Sequence, residues 1–223
     1  MRNNIIIISF LFTFFCEAFA NDQFTFDVSK IEISENGNKI SGTNRGLITS
    51  NSGIIIEADE FEYNKKKNLL KVRGNVIVNN SLKKYQIFSE KIIYFKNEDI
   101  ISAENQIKFV DNNERIINSN NFLYYIKKNI FEASGNVKIL DFNKNLEIDS
   151  DKIKYSKNDE KIISIGLTNA KLDKLYEFKS SKKLTIDILN DEVHALENVE
   201  FFDISKNHRI ISDEIYFFKK REE

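Results

Sequence analysis

A chain of 223 residues with 30% charged and 12% aromatic side chains and a formal net charge of −1 is too evenly charged to track a nucleic-acid backbone, since its lysines stand mainly in turns beside Asp and Glu. It contains no proline, so nothing in it interrupts a hydrogen-bonded strand ladder. Its only cysteine is Cys16, which rules out an intrachain disulfide framework and leaves burial and strand pairing to hold the fold.

Residues 1–20 read as an export signal: Arg2 supplies the positive start, Ile5–Phe15 is a largely apolar run of 11 residues, and Ala18-Phe19-Ala20 is a small-x-small cleavage site. That run is too short to cross a membrane, which takes about 20 residues. Cys16 lacks the small preceding residue of a lipidated cysteine. Residues 21–53 follow as a less regular lead-in. Phe24–Val28 and Ile31–Ile33 alternate as strands, Asn36-Gly37-Asn38 is a hairpin turn, and Gly42, Gly46 and Gly53 punctuate Leu47–Thr49. These strands are expected to cap the open end of a repeat array.

From Ile54 to Val78 the apolar positions recur every second residue on either side of the polar turn Asn64–Asn68, the pattern of two half-buried strands. The rest of the chain repeats this unit. A small residue followed at +3 and +5 by apolar or aromatic ones occurs at Ala58-Phe61-Tyr63, Ser89-Ile92-Tyr94, Ser119-Phe122-Tyr124, Ser150-Ile153-Tyr155, Ser181-Leu184-Ile186 and Ser212-Ile215-Phe217, in steps of 31, 30, 31, 31 and 31. A second mark keeps the same register at Gly74-Asn75-Val76, Asn105-Gln106-Ile107, Gly135-Asn136-Val137 and Glu197-Asn198-Val199. In the fourth unit it is placed at Thr168-Asn169-Ala170, where steps of 33 and 29 imply a bulge. Units run 54–84, 85–114, 115–145, 146–175 and 176–207, then half a unit at His208–Phe218 and a tail at 219–223. A lone hairpin cannot bury its apolar face, whereas stacked neighbours can. The expected fold is therefore all-β, an elongated stack of antiparallel strands with residues 54–218 as the repeat domain.

Catalytic chemistry finds little footing. His194 and His208 lack convergent partners, and no phosphate loop, nucleophile elbow or zinc spacing occurs. Asp59-Glu60 and Asp149/Asp151 recur at the starts of strands and read as solvated positions; only a carbohydrate-active β-helix would use them as paired acids. The expectation is a protein that is not an enzyme and needs no cofactor or metal. The alternating faces instead carry a long apolar set: Ile56, Phe61, Leu70, Val72, Val76, Val78, Ile92, Ile101, Ile107 and Phe109, continuing as Phe122, Phe131, Val137, Ile139, Ile153, Leu172, Val193, Val199 and Phe201. Such a set either fills a core between two sheets or lines an open trough that holds lipid chains at about 0.8 kcal/mol per buried methylene. Periodicity alone leaves both open.

The run Ala58-Asp59-Glu60-Phe61-Glu62-Tyr63, followed by Leu70-Lys71-Val72-Arg73-Gly74-Asn75-Val76 and echoed by Phe131-x-Ala133-x-Gly135-Asn136-Val137 and Ser150-Asp151-Lys152-Ile153-Lys154-Tyr155, resembles the OstA-like family of lipopolysaccharide transport proteins. Over residues 31–218 the resemblance implies a β-jellyroll, or β-taco, folded into a V with an apolar interior. It also implies a periplasmic location associated with the outer membrane. Lipid A acyl chains would be the ligand, lining residues would be the apolar set just named, and partners would be other transport proteins joined end to end by edge-strand addition. The lead-in and the stop in mid-repeat resemble an LptD-type N-terminal region more than the short start of LptA. An LptC type ranks last, because its members carry a membrane anchor longer than the apolar run here. A structural or adhesive β-solenoid that binds no lipid is the alternative.

Overall fold

The computed structural model describes residues 24–112 and 114–219; the expected leader over 1–20 and residues 220–223 of the tail lie outside them. The described chain is almost wholly strand: β1 (Phe24–Ser34), β2 (Lys39–Ser50), β3 (Ile54–Ala58), β4 (Glu60–Asn64), β5 (Leu69–Asn80), β6 (Tyr85–Phe95), β7 (Ile100–Asp111) and β8 (Arg115–Tyr125). They continue as β9 (Ile130–Asp141), β10 (Leu146–Ser156), β11 (Lys161–Leu172), β12 (Tyr176–Ser180), β13 (Lys183–Asp187), β14 (Glu192–Asp203) and β15 (His208–Phe218). A single 3-10 turn, Glu35–Gly37, joins β1 to β2.

All fifteen strands form one antiparallel sheet that follows chain order. β3 and β4 both lie between β2 and β5, and β12 and β13 both lie between β11 and β14. Each pair is thus one rung interrupted at its middle. The two sheets expected from the sequence are the two arms of this single sheet, bent along a line through the centre of every rung.

The bend has a local cause. The rungs alternate between eleven and twelve residues, and the extra residue is a mid-strand bulge. Arg73 pairs with Lys91 and Val76 with Ser89, so three steps on β5 oppose two on β6. The bulge residues have positive φ: Gly74 and Asn75, Asn105 and Gln106, Gly135 and Asn136, Glu197 and Asn198. Glycine and asparagine tolerate that region. The Gly-Asn mark is therefore the bend itself. In the fourth unit the bulge falls at Gly166 (φ 91°), between the pairs Lys152–Ile165 and Ser150–Thr168. The assignment to Thr168-Asn169-Ala170 is corrected: these residues stand just beyond the bulge, and the repeat is unbroken from Gly135 to Gly166 to Glu197. The lead-in obeys the same plan, with a bulge at Asn44 and Arg45.

The other mark completes the device. Asp59 follows Ala58 at the break between β3 and β4; its Oδ2 accepts from Asn75 Nδ2 at 2.8 Å and stands 2.6 Å from where a Cβ on Gly74 would lie. Asp151 Oδ2 likewise accepts the Leu167 N–H at 3.0 Å, 2.4 Å from a Cβ built on Gly166. Asp59 and Asp151 are thus mid-rung braces of the neighbouring bulge while keeping contact with solvent: Asp59 is half-exposed, and Asp151, like Asp149, is exposed.

Candidate functional site: an apolar interior closed by a polar seam

Each bulge restores the pleat so that both halves of a rung send alternate side chains into the V. On β5, Leu70 and Val72 precede the bend and Val76 and Val78 follow it, all buried. Every member of the apolar set read from the sequence faces this interior. All are buried except Leu172, which is half-buried and lines a 170 Å³ cavity with Leu146, Ile186, Ile188, Val193 and Phe217.

The arms meet through aromatic rings. Phe26 stacks on Phe61 with centroids 4.8 Å apart, Phe109 meets Phe131 at 4.4 Å, Tyr85 meets Tyr124 edge-on at 5.0 Å, and Tyr176 meets Phe217 at 4.8 Å. In each pair one ring comes from either arm. Apart from the cavity beside Leu172 the interior is filled by side chains, with packing of this kind worth about 0.5–1.5 kcal/mol per aromatic pair beyond area burial.

Tyrosines at the +5 position of the first mark stand where the interior meets the mouth of the V. Tyr63, Tyr94, Tyr124 and Tyr155 donate their hydroxyls to Asn68, Asp99, Asn129 and Glu160 at 3.0–3.3 Å. Each acceptor lies five residues on and closes its turn with φ near +50°. Burial holds the Tyr94 and Tyr124 hydroxyls well above the ordinary tyrosine range. The sequence reading used these tyrosines as register marks and left them out of the site.

The mouth lies between two rims. One consists of the turns after Ser34, Asn64, Phe95, Tyr125, Ser156 and Asp187; the other of those after Ser50, Asn80, Asp111, Asp141, Leu172 and Asp203. Within each rim successive turns are linked by backbone hydrogen bonds, such as Lys157 N–H to Asn129 O at 3.0 Å on the first rim and Phe142 N–H to Glu114 O at 3.0 Å on the second. Across the mouth, side chains bridge rim to rim. Lys96 Nζ reaches Ser52 Oγ at 3.3 Å, Lys83 Nζ reaches the Ile126 carbonyl at 2.6 Å, and Lys157 Nζ reaches Asp111 Oδ1 at 2.6 Å. Arg115 Nη2 meets Glu160 Oε2 at 2.9 Å, and Lys219 Nζ meets Asp173 Oδ2 at 2.6 Å. These partners are 43 to 46 residues apart, about one and a half repeats, because sheet twist and strand tilt carry one rim ahead of the other. The result is a polar seam over an apolar interior.

Its centre is the most enclosed part. Arg115 is buried, donating from Nε (2.9 Å) and Nη2 (2.5 Å) to Asp141 Oδ2, with its guanidinium 4.3 Å above the Tyr155 ring. Asp141 Oδ1 accepts the N–H groups of Asn143 and Lys144, capping its own turn. Burial raises the Asp111 carboxyl above its usual range, and the facing Lys157 offsets this only in part. Sequence reasoning placed these charges in turns and gave them no part in closing the interior. One signal pointed the other way: Ser50, Asn80, Asp111, Asp141 and Asp203 put a buried polar residue at the same place before each second-rim turn, Leu172 being the exception in that series.

Other predicted chemistry is dispersed. His194 Nε2 lies 2.8 Å from Glu214 Oε1 and stacks on Tyr216 at 4.0 Å, on the outer surface, and His208 starts β15. Among the described residues no three His, Cys, Asp or Glu side chains converge to hold a metal, and no helix is long and apolar enough to cross a membrane. At the far end β15 pairs only with β14, leaving Ile210, Ile211, Tyr216 and Phe218 exposed along the last rung.

The profile of the lipopolysaccharide-assembly, LptC-related family matches residues 44–142, from the bulge of β2 to the turn after β9. It is the LptC type that the short leader ranked last; nothing in this match singles out an LptD-type region. No curated protein matches the chain. Among solved structures, the chain is similar to LptH from Pseudomonas aeruginosa, titled as the LptA-homologous periplasmic component of the lipopolysaccharide transport device. The identity is 14%, with 60% of this chain and 75% of that one covered and a TM-score of 0.26.

Proposed function

We propose that this protein is a periplasmic, lipopolysaccharide-binding bridge component that passes lipid A acyl chains along its apolar interior toward the outer membrane. The observation that carries the proposal is the LptC-related match falling on rungs whose inward positions are apolar on both arms. Since the interior is filled by side chains, a lipid chain enters by parting the arms, with the bend as hinge and the seam as closure. Both rims stay intact in that motion, because their backbone hydrogen bonds run within each rim. The outer edge of β15, which pairs only with β14, supports end-to-end strand addition to another lipopolysaccharide transport protein. Residues 21–53 serve as the cap of the opposite end, and residues 1–20 as the export signal.

One observation favours the alternative, a scaffold that binds no lipid: the cross-arm aromatic packing leaves no continuous lumen. Photoreactive residues at Val76, Ile107 and Val137, with Lys66 on an exposed turn as control, separate the two. Lipopolysaccharide adducts at the first three alone support the trough. Adducts at none, in an exported and folded protein, assign the scaffold.

A further inference from the structure

The two rims differ in a way that transport along the interior does not require. At the second rim four turns present an exposed apolar side chain at or beside the tip: Leu82 (78% exposed), Phe142 (60%), Leu175 (41%) and Ile204 (42%). At the first rim Ile126 and Ile188 turn inward and are buried, and Leu189 alone is exposed in this way among the described residues. Each apolar tip of the second rim has lysine near it: Lys84 near Leu82 (Lys83 being held in the seam), Lys144 near Phe142, Lys174 next to Leu175, and Lys206 near Ile204. Phe142 and Ile204 also face one open cleft of about 510 Å³, with Leu140 on its wall and Lys171 and Lys174 at its margin. The acids at this cleft, Asp141, Glu147 and Glu177, are engaged by Arg115, Lys138 and Lys171.

We propose that the second rim docks on an anionic lipid surface, its apolar tips inserting at the headgroup–acyl boundary while the flanking lysines meet lipid phosphates. A flat protein partner would ask for one contiguous apolar patch. Here the apolar groups are single side chains on separate turns, three of them successive (Phe142, Leu175 and Ile204) and Leu82 set apart by the turn after Asp111, which a deformable lipid interface accommodates and a rigid surface does not. The turn-to-turn hydrogen bonds, such as Ile204 N–H to Leu175 O at 2.8 Å, hold neighbouring tips in fixed spacing. This goes beyond the transport reading and does not depend on lipid occupying the interior.

The test is co-sedimentation of the full chain with vesicles of phosphatidylcholine alone or mixed with phosphatidylglycerol, at low and high salt. Binding is expected only to the anionic vesicles, and salt should weaken it. Phe142→Asp and Ile204→Asp, both at exposed turn positions outside the buried core, should each weaken binding about tenfold through loss of an inserted side chain, while Leu189→Asp on the first rim leaves it unchanged. Equal binding to both vesicles, or full binding by Phe142→Asp and Ile204→Asp, overturns the proposal. So does a concentration-dependent dimer in sedimentation velocity that Phe142→Asp abolishes, since the rim would then belong to a second copy. Interior crosslinking at Val137 is unaffected by these variants, so failure here is distinct from failure of the transport reading.

Discussion

Replacing Arg115 by alanine tests whether the seam is a structural closure or a set of surface contacts. Arg115 and Asp141 side chains are 7% and 3% exposed, so the pair lies where removal of one partner strands the other. Such losses cost about 3–5 kcal/mol. Asp141 keeps the two backbone N–H groups of its turn, which places the expected loss near the lower limit, about 3 kcal/mol. In a domain of this size that lowers Tm by about 6–12 °C. Calorimetry reads the shift, and a double-mutant cycle with Asp141→Asn apportions it: once the Asp141 carboxylate is gone, Arg115→Ala should cost roughly half as much. The loosened seam should also take up an apolar fluorescent probe faster than the parent protein. A Tm within about 2 °C of the parent would refute the reasoning, because exposed ion pairs are worth only about 0–1 kcal/mol.

Asp111 supplies a pH dependence. Its carboxyl is raised in the fold, chiefly by burial, so the native state binds more protons than the unfolded one between the ordinary value of 3.8 and the raised value, and this group's contribution falls as pH rises through that window. Urea titrations should show Asp111→Asn gaining on the parent from acidic to neutral pH; a change in the opposite direction would contradict burial as the main cause. Gly74→Ala combines a φ of +79° with a Cβ placed 2.6 Å from Asp59 Oδ2, whereas Gly37→Ala has a φ of +84° and open space around it. Chemical denaturation should find the first more costly by at least about 1 kcal/mol, and equal losses would deny Asp59 its place against the bulge. Phe131→Ala removes contacts to Phe109 and Tyr124 at 4.4 and 4.2 Å and should destabilise by about 3–5 kcal/mol. If β15 is the proposed joining edge, the full chain should associate end to end in sedimentation velocity, and Ile211→Lys with Tyr216→Lys should abolish this while leaving the monomer folded.

Much of this architecture was legible in the residues because a strand reports its buried face every second position and a stacked repeat reports it again every 31. Val76, Ile107, Val137 and Val199 were placed correctly inside on those grounds. The bend was visible as two marks without a meaning: only the pairing of Asp59 with Gly74 and of Asp151 with Gly166 shows that the small-acid and Gly-Asn signatures are halves of one contact across neighbouring rungs. Gly166 was passed over because Leu167 follows it where asparagine was sought, and that displaced the fourth mark. The seam was hidden for a different reason. Its partners are 43 to 46 residues apart, and the turn composition that announces a hairpin, rich in Lys, Asn and Asp, is the same whether the side chain ends in water or across a mouth.

Central to the proposed transport is that the arms part along the seam to admit an apolar chain. Nitroxides on Ser81→Cys and Lys128→Cys, in a Cys16→Ser background, stand on opposite rims beside the Lys83–Ile126 bridge. Pulsed electron resonance should report a short, narrow distance in the free protein and a longer one when lipopolysaccharide is bound. An unchanged distance in a sample whose interior is shown by crosslinking at Val137 to hold lipid would contradict it.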